Sequence, residues 1–71
     1  MAKKIPKTKA ERVANITRRA HTLFGEFNGR KWLKSKIMSL GGQRPIDLAK
    51  TARGYQRVDT ILDAIESGAF L

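Results

Sequence analysis

Residues 51–68 read TARGYQRVDTILDAIESG. Tyr55, Val58, Ile61, Leu62 and Ile65 recur at spacings of three and four, the period of one helical face. Asp59, Asp63 and Glu66 fall away from that stripe and read as a solvated acidic face. Thr51 is a good N-cap, and Gly68 is a residue that stops helices. This segment decides the class of the fold. No stretch of the chain alternates as a strand does, so the expectation is all-α: a small bundle of about four short helices.

Working back along the chain, Gly41-Gly42 breaks it sharply. Pro45 then stands where it favours a helix start, opening a short helix that holds Ile46, Leu48 and Ala49. Upstream, a helix is expected to start near Asn28, with Phe27 and Trp32 as the two ends of a hydrophobic staple. Trp32, Leu33 and Ile37 would face inward, with Leu40 after them. Arg30 and Lys31 would sit in that helix's first turn and oppose its dipole. Thr8-Lys9-Ala10-Glu11 has the form of a capping box. The apolar positions after it are Val13, Ile16, Ala20, Leu23, Phe24 and Phe27, again on one face, with Gly25 as a left-handed stop. Pro6 cannot lie within a helix and pushes Ile5 toward extended backbone. Residues 1–7 therefore read as a basic flexible arm, and residues 8–71 as a single helical domain.

Composition narrows the function. The chain has 71 residues, 41% of them hydrophobic and 30% charged, which suits one small domain. A domain this short buries only about 60% of the surface its unfolded chain exposes and is marginally stable alone. There is no cysteine and one histidine, His21. Disulfides, thiolate catalysis and cysteine-type zinc sites are excluded. His21 reads as a surface or boundary side chain. Asp59 and Asp63, one turn apart, read as surface charges rather than a catalytic pair. Gly41-Gly42-Gln43-Arg44-Pro45 lacks the phosphate-loop and dinucleotide patterns, and no strand precedes it. The expectation is a protein that is not an enzyme and needs no cofactor or metal. No apolar run reaches the roughly 18 residues of a membrane span. The basic start leads into no apolar signal segment, so the expected location is the cytoplasm.

Charge supplies the functional clue. Residues 1–36 carry eleven Lys/Arg and two acids, while residues 37–71 carry four of each. The whole net charge of +9 thus sits in the first half. Lys3, Lys4, Lys7, Lys9, Arg12, Arg18 and Arg19 are the candidates for contact with nucleic-acid phosphates. No aromatic precedes Phe24, so that segment is not suited to stacking on single-stranded bases. In the second half, Arg44 would be an N-cap cation beside the positive end of a helix dipole, facing either solvent or an acidic partner. Arg53 and Arg57 are four apart on one face, and no acid lies one turn beyond either, which favours a partner outside the chain. Gly54 would allow close helix approach. Trp32 reads as a core residue. Phe70 and Leu71 lie beyond the Gly68 stop and must either fold back on the core or fill a partner's groove.

From Leu23 to Phe70 the chain resembles the toxin-binding domain of the Xre/MbcA/ParS-like antitoxins. The residues that carry the resemblance are Phe24-Gly25, Trp32-Leu33 and the run Leu40-Gly41-Gly42-Gln43-Arg44-Pro45-Ile46-Asp47-Leu48. Thr51, Gly54, Val58, Leu62, Ile65 and Gly68 continue it. The resemblance implies a small helical antitoxin that neutralises a NAD-consuming, RES-type toxin by binding over its active-site entrance. Partner contacts are expected at Arg44, Arg53 and Arg57 from their charge environment, and at Gly68, Ala69, Phe70 and Leu71, where the resemblance favours a groove on the partner for Phe70 and Leu71. Many members also carry a helix-turn-helix before this domain, whereas residues 1–22 hold one helix and an arm. Arg53 stands where the family often has an acid. The alternatives are a small basic, autoregulatory DNA-binding protein, or a phage-borne inhibitor that uses the same fold against another host protein. Self-association as a homodimer is a further open expectation.

Overall fold

The computed structural model describes residues 5–68. Four α-helices follow in chain order: α1 (Lys9–Phe24), α2 (Glu26–Leu33), α3 (Pro45–Leu48) and α4 (Ala52–Glu66). A single 3₁₀ turn, Met38–Leu40, links α2 to α3. The described residues form an all-α domain, as the periodicity requires; the one β-type contact is an isolated bridge between Ile37 and Gln43.

The two long helices start where their threonines place them. Thr8 Oγ1 accepts from the Glu11 N–H at 3.2 Å, and Thr51 Oγ1 accepts from the Gly54 N–H at 3.0 Å. Each bond satisfies one of the amides that a helix start leaves without a partner. Pro45 opens α3, where its missing N–H costs nothing. Gly41 and Gly42 have φ of 69° and 76°, the left-handed backbone that lets the chain reverse between Leu40 and Pro45.

The start of α2 differs from the sequence expectation. It begins at Glu26, not near Asn28, and Gly25 is its N-cap without any side-chain hydrogen bond. Gly25 does two jobs. Its N–H donates to His21 O at 2.9 Å and closes α1, while its carbonyl accepts from the Gly29 N–H at 2.8 Å and opens α2. Its φ of 87° and ψ of 165° suit glycine almost alone. Two corrections follow. Arg30 and Lys31 lie in the last turn of α2 and Glu26 in the first, so these charges favour the dipole instead of opposing it. The staple is also re-partnered: Trp32 meets Phe24, ring centroids 5.4 Å apart, and Phe27 is left 75% exposed.

The core joins all the elements. Ile16 and Ala20 come from α1, Leu33 from α2, Leu40 from the 3₁₀ turn, Ala49 from the end of α3, and Tyr55, Val58 and Leu62 from α4. Ile5 packs against this cluster from ahead of α1. Close backbone approach is bought with glycine at two crossings. A Cβ on Gly29 would lie 2.8 Å from the Ala20 carbonyl oxygen of α1. A Cβ on Gly54 would lie 1.9 Å from the Leu48 carbonyl oxygen of α3, so the packing role expected of Gly54 is met by a backbone contact.

Candidate partner-binding surface

The charged side chains fall into those the fold consumes and those it leaves outward. Arg19, on α1, lies across α4. Its Nη1 is ion-paired with Asp59 Oδ1, and its Nη2 donates to Asp63 Oδ1 at 2.7 Å and to Glu66 Oε2 at 3.2 Å. The spacing suggested a solvated acidic face, and Asp63 and Glu66 do keep side chains 46% and 62% exposed, but all three acids are ion-paired with Arg19. They are the α4 side of a contact that fastens α1 to α4, and the Asp59 side chain is only 13% exposed. Partial burial alone would lower the Arg19 pKa. Hydrogen bonds to Asp63 and Glu66, with the charges of Asp59 and Asp63, outweigh it and hold the guanidinium above its usual value.

Arg12 is likewise turned inward. Its Nη1 donates to the carbonyls of Pro6 and Lys7, and its Nη2 to the carbonyl of Lys50 at 2.8 Å. It ties the chain ahead of α1 to the segment before α4. Among the remaining candidates for phosphate contact, Lys7, Lys9 and Arg18 are exposed, and Arg18 donates to Asn15 Oδ1. Lys3 and Lys4 lie outside the described residues. His21 is half-buried at the α1–α2 crossing, its Cδ2 close to Gly29.

Arg44 is the N-cap of α3, as expected, but its charge has a partner within the chain. Nε and Nη2 form a fork on the Asp47 carboxylate, at 2.7 and 3.0 Å, and Lys50 Nζ lies 3.5 Å from the same group. The Arg44 hydrogen bond holds Asp47 below the usual carboxylate range. Asp47 thus shields the helix start from the cation. Glu26 pairs with Arg30 at 3.4 Å. Among the described residues, Glu26, Asp47, Asp59, Asp63 and Glu66 are held in ion pairs.

The outward face of α4 is left cationic and polar. Arg53, Gln56, Arg57 and Thr60 are all exposed, at i, i+3, i+4 and i+7 along the helix. Neither arginine is hydrogen-bonded or ion-paired among the described residues. Gly68 ends the described chain with φ of 78°, its N–H donating to Ile65 O at 3.1 Å. Ala69, Phe70 and Leu71, named as contacts from the sequence, lie outside the described residues.

No catalytic constellation is assembled among the described residues. A shallow depression of about 490 Å³ between α1 and the end of α4 is lined by Arg18, Arg19, Thr22, Leu23 and Glu66, and its one carboxylate is already committed to Arg19. No three His, Asp or Glu side chains among the described residues converge as metal ligands would. The surface can bind through charge and shape.

Residues 19–68 match the family model of the antitoxin Xre/MbcA/ParS C-terminal toxin-binding domain. The chain belongs to the Xre/MbcA/ParS antitoxin family. The match opens on Arg19 and closes on Gly68, so it takes in the end of α1, all of α2 and α3, and all of α4. Both partners of the α1–α4 fastening lie within it. Comparison with curated proteins and with solved structures yields no significant match. The sequence points to Arg53 and Arg57 through the missing acids one turn on, and Gln56 and Thr60 share their exposure on the same face of α4.

Proposed function

We propose that this antitoxin neutralises a RES-type, NAD-consuming toxin by direct binding that covers the entrance to the toxin's active site. The family match across residues 19–68 carries the reading, because the matched domain is a toxin-binding one. The charge arrangement supports it. With the acids of α4 turned onto Arg19, the outer face of that helix offers Arg53, Gln56 and Arg57 to an acidic surface. Contact continues through Gly68 into Ala69, Phe70 and Leu71, whose apolar side chains fill a groove on the toxin. The antitoxin brings no reacting group; it works by exclusion. The proposed setting is the cytoplasm, and no helix among the described residues is long and apolar enough to cross a membrane.

Co-expression tests this. A RES-domain toxin encoded beside the antitoxin should arrest growth alone, and the antitoxin should restore growth and copurify with it. Continued arrest with no complex would remove the reading. Capture of an unrelated host enzyme in its place would point to an inhibitor that keeps the fold and changes the target.

A further inference from the structure

The displaced staple leaves a face without a structural duty. With about 100° per helical residue, Phe27, Arg30 and Lys31 on α2 and its C-cap Lys34 fall within a stripe roughly 100° wide. Gly29 and Leu33 are buried on the opposite side. Phe27 is 75% exposed, and the ring it was expected to meet is taken by Phe24. Arg30, Lys31 and Lys34 are exposed as well. The one nearby acid, Glu26, lies at the edge of the stripe and reaches only Arg30. Elsewhere the fold consumes Arg12, Arg19 and Arg44 internally, whereas here it leaves cations around an open aromatic ring.

We propose that this face of α2 binds single-stranded nucleic acid, with Phe27 stacked on a base and Arg30, Lys31 and Lys34 on the flanking phosphates. An exposed ring bordered by cations matches the chemistry of an unpaired strand, which offers base faces and phosphates together. A duplex hides its base faces and leaves the ring with nothing to stack on. An anionic bilayer would need a broader apolar face than one phenyl ring provides. The site shares no residue with the α4 surface, so it stands or falls apart from toxin binding.

The test is fluorescence anisotropy of the full chain with a labelled oligothymidylate of about 12 nucleotides. Neutralising three phosphates predicts an affinity that falls about 20-fold between ~50 and ~200 mM salt. Phe27→Ala should weaken binding about fivefold or more. Lys31→Glu with Lys34→Glu should abolish it. All three positions are exposed, so the melting temperature of each variant should stay near that of the parent. Unchanged binding by Phe27→Ala would overturn the proposal, as would tighter binding of a duplex of the same length. Loss of toxin binding with oligothymidylate affinity intact would assign the face to the protein partner instead.

Discussion

Arg19 on α1 is ion-paired with Asp59 on α4, forty positions away in the chain. Asp63 and Glu66 complete the contact from the same helix. The Arg19 side chain is 24% exposed, between a surface pair and a buried one. Surface pairs are worth about 0.2–1 kcal/mol, whereas breaking buried ones costs about 3–5 kcal/mol. Arg19→Ala should therefore cost roughly 1–3 kcal/mol, because it removes the cation through which three carboxylates of α4 are drawn to α1. Arg19→Lys should cost less, keeping the charge but losing the fork. Urea unfolding of the two variants against the parent measures this, and an unchanged midpoint for Arg19→Ala would show the contact to be idle.

Gly54 gives a prediction whose sign runs against helix propensity. Alanine is the better helix former by about 1 kcal/mol. Yet a Cβ there would meet the Leu48 carbonyl oxygen at 1.9 Å, and a backbone atom cannot swing aside. Gly54→Ala should destabilise by about 1–3 kcal/mol, a drop of roughly 4–8 °C in melting temperature for each kcal/mol. A variant more stable than the parent would mean that α3 and α4 do not approach as described.

The Arg44–Asp47 fork sets a pH dependence at the acid end. The Arg44 hydrogen bond lowers the Asp47 pKa below its ordinary 3.8 in the folded state. A carboxylate depressed on folding stabilises fully above its unfolded pKa and loses that contribution as the pH falls through the folded value. The fork is thus intact at neutral pH and lost only below about pH 4. An NMR titration of the Asp47 carboxyl should give a midpoint below 3.8 in the parent and a return toward 3.8 in Arg44→Ala. A midpoint above 3.8 in the parent would contradict the geometry.

Arg53 and Arg57 separate recognition from folding. Both are exposed and without partners among the described residues, so Arg53→Glu with Arg57→Glu should leave the melting temperature nearly unchanged. The same pair should weaken the toxin complex by about tenfold or more, because like charges then face an acidic surface. Equal affinity for parent and variant in surface plasmon resonance would take this face out of the contact.

The fold was legible where local chemistry decides it. Thr8 and Thr51 announce their helices because a cap is a contact between residues three apart. Gly41-Gly42 and Pro45 announce a turn and a start because their backbones have few alternatives. The start of α2 was misplaced because a helix can begin on a glycine that makes no side-chain bond, and Gly25 left no mark except as a stop. Capping at Gly25, three residues before Asn28, places Arg30 and Lys31 in the last turn of α2 and leaves Phe27 apart from Trp32. Charge pairing was the least legible feature. The acids at 59, 63 and 66 form a regular stripe either way, and only the docking of α1 shows that Arg19 takes them. The exposure of Arg53 and Arg57 without an acid one turn on is legible because it is itself local.

Inhibition of a purified toxin tests the central claim most directly. A RES-domain toxin, the proposed partner, should consume NAD until the antitoxin is titrated in. The account predicts that turnover falls in step with complex formation to a stoichiometric end point, with no NAD consumed by the antitoxin alone. Undiminished turnover in a mixture where the complex has formed would contradict it, because the antitoxin would then bind without covering the active site.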